Sequence, residues 1–158
     1  MLILYRVDDR LVHGQVVEGW VPHLKADELA VVSDELAADE LRQSIMRFAT
    51  PEDVALKVLT AEQAAAYLPS AEGSATRTLV LLPGLEEALS LVAKGVKIAS
   101  LNIGGMHYSA GKNLSIGKAI FLSERDCAAL KSLASSGIAI EGRGVPSDSP
   151  VDLMSSIT

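Results

Sequence analysis

Asp8, Asp9, Arg10 and His13 crowd into one polar stretch, "DDRLVHGQ", directly after a strand-like apolar run. An imidazole beside carboxylates and a guanidinium has three chemical uses: general base, metal ligand, or nucleophile toward phosphorus. The metal role is the weakest, because His13, His23 and His107 have no paired ligand spacing and Arg10 opposes a cation. General base catalysis needs a substrate pocket, and no stretch of the sequence identifies one. Phosphoryl acceptance asks for less. One ring nitrogen attacks phosphorus in line while the other keeps its hydrogen and is oriented by a carbonyl or carboxylate, a task open to Asp8 or Asp9. Arg10 and free backbone amides would spread the charge on the equatorial oxygens. The expected catalytic set is therefore His13, Arg10, Asp9 and Asp8.

Each residue also has a plainer explanation. A loop histidine is commonly a solvated residue or a hydrogen-bonded cap. Arg10 beside Asp8 or Asp9 makes a surface ion pair of little energetic weight. Gly14 permits a tight turn and Gln15 caps a helix, roles compatible with holding an anion. Gly104 and Gly105 either relieve crowding where a strand ends or let the backbone approach the active loop closely. Trp20 and His23 read as helix packing or surface residues, and His107 is ambiguous.

These side chains need a scaffold, and hydrophobic periodicity supplies its outline. Apolar or β-branched runs predict strands at Leu2–Val7, Glu28–Ser33, Ala55–Leu59, Thr78–Leu82, Ile98–Ile103, Ala119–Leu122 and Ile138–Glu141. Between them, amphipathic spacing predicts helices over Gln15–Leu24, Asp39–Ala49, Ala61–Leu68, Leu85–Ala93 and Glu124–Ser135, with a short one near Val151–Ser156. Strand and helix alternate almost throughout. That pattern predicts right-handed crossovers and an α/β fold: one domain over residues 1–158, a mostly parallel sheet of about seven strands, and helices on both faces. In such sheets ligands gather outside the carboxyl ends of the strands. "DDRLVHGQ", "LPGLEE" after Leu82 and "IGGMH" after Ile103 should therefore line one crevice, where Arg10, Gly14, Gln15, Gly84 and Gly105 are the candidate phosphate-binding residues.

Composition excludes several other classes. The chain has 158 residues, 49% of them apolar, which suits one domain with a respectable core. A net charge of −6 and an aromatic content of 4% disfavour nucleic acid, which needs cationic grooves and stacking platforms. The single cysteine, Cys127, has no disulfide or metal-site companion, which fits a reducing compartment and excludes structural zinc. No apolar run is long enough for a membrane span or a signal peptide, so a cytoplasmic chain is expected. No metal or cofactor is expected. A nucleotide-binding enzyme is disfavoured because neither a "GKT" phosphate loop nor G-x-G-x-x-G follows the first strand.

The stretch "RVDDRLVHGQV" resembles the phosphorylation-site loop of the enzyme IIB component of the mannose/fructose/sorbose family of the sugar phosphotransferase system. The likeness continues through "VVSDELAAD", "VKIASLNIGGM" and "SSGIAIEGRGVPSD" and covers most of the chain in order. It implies a phosphotransferase component in which His13 takes a phosphoryl group, on Nδ1, from a phosphohistidine of an enzyme IIA partner. It further implies delivery to a sugar held by the membrane components IIC and IID, attachment to the inner membrane face only through those partners, and pairing into a homodimer. Two stretches depart from the family pattern. "LLPGLEE" stands where a polar "FTNP"-like loop is usual, and "HYSAGKNLSIG" puts His107 where a smaller or apolar residue is common. A second class of function uses the same histidine: a regulatory binding module whose phosphorylation state another protein reads, with no sugar transported.

Overall fold

Two short runs, ELAVV in β2 (Glu28–Val32) and TLVLL in β4 (Thr78–Leu82), are buried along their whole length. Strands covered on both faces have no polar side to show, which is why they read as continuous apolar runs. In the computed structural model, which describes residues 1–157, they lie inside a six-stranded parallel sheet. The other strands are β1 (Leu2–Asp8), β3 (Ala55–Leu59), β5 (Ser100–Gly105) and β8 (Ala139–Gly142), in the order β3-β2-β4-β1-β5-β8.

The expected sheet of about seven strands resolves into these six and a separate antiparallel hairpin of β6 (Leu114–Ile116) and β7 (Ile120–Leu122). The run expected at Ala119–Leu122 is thus a hairpin strand, joined to the sheet only by a bridge between Met106 and Ile120. Its partner β6 lies within a stretch that reads as loop, because three residues are too few to show a period.

A π-helical segment, Gln15–Trp20, follows the first loop and runs on into α1 (Val21–Leu24). The acidic turn after β2 closes into a short helix, α2 (Asp34–Ala37), capped by the Ser33 hydroxyl, and α3 (Glu40–Ala49) begins after the Asp39 cap. Helix α4 (Ala61–Glu72) starts with a capping box between Thr60 and Gln63 and continues one turn past Pro69, with Ala71 buried in that turn. Burial overrides the stop that proline signals. Helices α5 (Leu85–Ala93), α6 (Glu124–Ser135) and α7 (Leu153–Ile157) complete the chain. Among the described residues no helix is long and apolar enough to cross a membrane.

Strand alternation divides the core. Tyr5, Val7, Val80, Leu82, Leu101 and Ile103 pack beneath α4, α5 and α6, while Leu29, Val31, Leu79 and Leu81 pack beneath Val16, Trp20 and Met46 on the other face. Along β1 this leaves Arg6 and Asp8 on the Trp20 side. The chain leaves β1 toward β2 and leaves its neighbour β5 toward β8, so the two connections diverge and open a crevice at the carboxyl edge between them.

The energetic contrast between faces is measurable. Leu81→Ala, at a fully buried position, should cost about 2–5 kcal/mol in urea unfolding. Phe48→Ala, on α3 at 95% exposure, should change stability by no more than about 0.5 kcal/mol.

Candidate functional site

The site begins one residue pair before the polar loop. Arg6 and Asp8 have fully buried side chains, two residues apart on the same strand face, with Arg6 Nη2 donating to Asp8 Oδ2 at 3.1 Å. The two terminal nitrogens of Arg6 have further partners, whereas Nε has none among the described residues. Nη1 donates to Asn102 Oδ1 at 2.6 Å and to the Arg143 carbonyl at 2.9 Å, and Nη2 to the Gly144 carbonyl at 2.9 Å. The guanidinium carbon lies 5.1 Å from the centroid of the Trp20 ring, whose indole N–H donates to the same Gly144 carbonyl.

Asp8 is where this framework meets the loop. Its Oδ1 accepts from the Arg10 backbone N–H at 3.1 Å and from Arg10 Nε at 3.2 Å. Its Oδ2 faces Arg10 Nη2 at 3.3 Å and His13 Nε2 at 2.8 Å. Burial by itself would push the Asp8 carboxyl up, but hydrogen bonds from His13 and Arg10 outweigh it and hold the group well below the usual carboxylate range. An ionised carboxylate only accepts, so the hydrogen lies on His13 Nε2 and the neutral ring keeps its lone pair on Nδ1. The His13 side chain is 17% exposed, and Nδ1 has no partner among the described residues.

The loop around the ring is held by two uncommon backbone features. Leu11 has a φ of 57°, a left-handed conformation costly for a side chain of its shape, and is kept there by burial in the core under Trp20. The helix that follows opens in π-helical form, a geometry that frequently accompanies functional sites. The His13 carbonyl accepts from Val16 and Val17, whereas the N–H groups of Val12, His13, Gly14 and Gln15 meet no backbone acceptor among the described residues. Arg10 is 35% exposed, and its Nη2 also reaches Gln15 Oε1 at 2.8 Å. Gly14 and Gln15 thus leave backbone donors unpaired in the loop that carries His13, with Arg10 bonded to the same loop.

The remaining expected residues are arranged differently. Asp9, a candidate to orient His13, turns instead to the loop after β5, accepting from the His107 backbone N–H at 2.7 Å and lying 2.5 Å from His107 Nδ1. The orienting carboxylate is Asp8 alone, because alternation on β1 sends Asp8 to the histidine side and frees Asp9 only after the strand has ended. Gly105 does approach the loop: a side chain there would begin 3.2 Å from Asp8 Oδ1 and 3.3 Å from Arg10 Nη2. Gly84 caps α5 and lines, with Asp9, Glu86 and Glu87, a cleft that His13 does not line. His23 sits edge-on to Trp20, a packing role. Arg6 and Asn102 were not legible as site residues. The signal available was a lone arginine inside an apolar strand, and its meaning depends on what lies across the sheet.

A doubly wound parallel sheet with a carboxylate-anchored histidine, a guanidinium and free amides at its carboxyl edge defines a phosphoryl-handling α/β protein. A family model described as "PTS system sorbose subfamily IIB component" matches residues 2–158. The chain is 33% identical over 156 residues to the sorbose-specific EIIB component of Klebsiella pneumoniae, covering 99% of this chain and 94% of that one. It is 30% identical over 153 residues to the fructose-specific EIIB component of Bacillus subtilis (strain 168), with 97% and 93% covered. Among solved structures, the IIBSor domain of the sorbose permease from Klebsiella pneumoniae superposes with a TM-score of 0.90 at 32% identity, covering 99% of this chain and 96% of that one. The chain belongs to the sorbose-subfamily IIB components of the sugar phosphotransferase system. It is a phosphotransferase component that carries phosphoryl groups in sugar uptake, working with an EIIA protein and a membrane EIIC protein, and the regulatory-module reading is not favoured.

One flank of the site has its own titration. Burial, with the charges of Glu86 and Asp34 adding to it, pushes the Glu87 carboxyl up to about 7. A raised carboxyl favours the folded state while protonated, so its contribution is full below the ordinary carboxylate range and is lost as pH rises to about 7. Glu87→Gln should therefore gain stability over the parent chain as pH rises through that window and differ little from it at pH ~4. Thermal unfolding of both proteins across the range checks this.

Proposed function

We propose that His13 is the phosphorylated residue and that Nδ1 is the nucleophile. The single observation that carries this reading is the 2.8 Å approach of Nε2 to Asp8 Oδ2, which commits one ring nitrogen and leaves the other as a free base. In the first step the Nδ1 lone pair attacks the phosphorus of a phosphohistidine on EIIA. The donor P–N bond breaks, its electron pair returns to the donor imidazole, and Asp8 stabilises the Nε2–H of the ring that has gained the phosphoryl group. In the second step a sugar hydroxyl, bound by the membrane component, attacks phosphorus. The Nδ1–P bond breaks and the hydroxyl proton leaves to a base on the partner.

Arg10, with the amides of Gly14 and Gln15, would hold the equatorial oxygens in both steps. Arg10 is already within reach and only partly covered, so it exchanges Gln15 for phosphate without disturbing the core. Gly105 serves by leaving room for the Asp8 and Arg10 pair. Gly84 lies farther along the same edge, where a docked partner would meet it. Asp9 tethers the loops rather than touching the ring.

The reading extends to an EIID membrane component beside EIIC and to a homodimer. Leu41, Ile45 and Phe48 form an exposed apolar stripe on α3 that supports a docking role for that face. Relatives named for sorbose, fructose and mannose bracket the class of sugar, whose choice rests with the membrane component.

Phosphorylated EIIA should label the wild-type chain at one site, mapped under alkaline conditions because a phosphoramidate is labile in acid. Label should vanish in His13→Ala and survive in His107→Ala; full labelling of His13→Ala sinks the reading. Arg10→Ala should slow transfer by roughly 30-fold to 1000-fold, the equivalent of about 2–4 kcal/mol of transition-state contact. Arg10→Lys should retain more, since it keeps the charge and loses the fork. A normal rate in Arg10→Ala would reduce the arginine to an ion-pair partner.

A further inference from the structure

Arg6 is fully buried and takes no part in the transfer steps, yet both of its terminal nitrogens are bonded to groups that cannot move freely, while Nε has no partner among the described residues. Asn102 stands beside it on the neighbouring strand, in register. The Arg143 and Gly144 carbonyls belong to the chain leaving β8, and Asp8 is on its own strand. A planar guanidinium satisfied on several separate elements is locked, because turning it toward one acceptor abandons another in a buried setting. Asp8 Oδ2, the oxygen that receives Arg6, also receives His13 Nε2. A continuous line of hydrogen bonds therefore runs from the sheet through Arg6 and Asp8 to the imidazole, with Nδ1 at its open end.

Resting on the reading of His13 as acceptor, we propose that Arg6 is a positioning residue for phosphoryl transfer, fixing the Asp8 carboxylate so that His13 is held as the Nε2–H tautomer and Nδ1 is the nitrogen presented. Gly104 is the other half of the device. The pairing of β1 with β5 steps from Val7 and Ile103 to Asp8 and Gly105, so Gly104 is the extra residue of a bulge. A Cβ at Gly104 would fall inside the Arg6 guanidinium, so only glycine leaves that fork its place. A residue serving stability alone would lower the unfolding temperature when altered and leave the imidazole as it was.

Arg6→Lys keeps the charge and loses the fork; Gly104→Ala keeps the arginine and displaces it. Both proteins, checked for folding by amide dispersion, are read by the ¹⁵N shifts of the His13 ring, by the nitrogen that carries phosphate, and by the rate of transfer from phosphorylated EIIA. The wild type should show the Nε2–H tautomer and phosphate on Nδ1 only. Each folded variant should show mixed tautomers, some phosphate on Nε2, and transfer slowed about 10-fold to 100-fold, as expected for a reacting atom misplaced by ~1 Å. Asn102→Ala removes one anchor, leaves the others, and should shift the tautomer part of the way, which keeps the test decisive if the first two variants do not fold. Wild-type ring shifts with wild-type transfer in any folded variant would overturn the proposal. Phosphate found on another residue of the wild type would instead overturn the reading of His13, while the ring shifts of the unphosphorylated proteins still decide whether Arg6 governs the imidazole.

Discussion

A guanidinium with no exposed surface needs an anion and acceptors for its terminal nitrogens, and the carboxylate beside it must keep a cation, or each becomes a buried charge without compensation. Losing one partner of such a pair typically costs about 3–5 kcal/mol. Arg6 and Asp8 impose this constraint on everything around them. It accounts for Asn102 in the adjacent strand, for the bulge that puts a residue without a side chain at Gly104, and for the return of the Arg143 and Gly144 backbone across the open face of the sheet. It also accounts for Trp20, which closes the guanidinium from solvent on the helix side and binds the same returning chain. A pair that contributes little net stability can still specify one arrangement of the segments around it.

A phosphoryl carrier has to release its cargo as readily as it accepts it, and the proposed site at His13 suits that demand. Its permanent interactions are all on the buried side of the imidazole, where Asp8 is satisfied by Arg6, Arg10 and His13. On the open side, under the reading of His13 as acceptor, the donors offered to phosphate would be backbone amides and one half-covered arginine. Such contacts would strengthen as negative charge develops and reform with solvent or with Gln15 afterwards, lowering the barrier without trapping the phosphorylated state. A shallow ring at a sheet edge also suits successive docking on two partners better than an enclosed pocket would.

The carboxyl edge of the sheet carries dense charge on both flanks of His13. Asp9, Asp34, Glu86 and Glu87 line clefts on one flank together with Arg42, Lys112 and Arg125, and burial leaves Glu87 only weakly acidic. Lys118, Arg143 and Asp148 line a cleft on the other flank, beside Gln15 and Gly104, so both flanks carry charge of both signs. The clamp between Asp9 and His107 joins the loop after β1 to the loop after β5. Complementary charge on a partner would set its orientation before any apolar contact forms.

The α/β class, five of the six sheet strands to within a residue or two, and the histidine loop with its arginine were legible in the sequence because their causes are local. Burial on both faces makes a run apolar, alternation of strand and helix forces parallel crossovers, and carboxylates, arginine and histidine crowded beside a strand end announce chemistry whatever lies around them. The shift of β5 toward Gly105, the short hairpin, and the division of labour between Asp8 and Asp9 were not legible. Which of two adjacent acids faces the histidine depends on where β1 ends and on which face its last residue points. The role of Arg6 is still less local: the residues that complete it, Asn102, Arg143 and Gly144, are 96, 137 and 138 positions away along the chain. Composition and spacing by themselves determined that a histidine would stand at the carboxyl edge of a parallel sheet. Only the tertiary structure decided which of its nitrogens is free, because that depends on a buried charge whose partners are brought together by the fold.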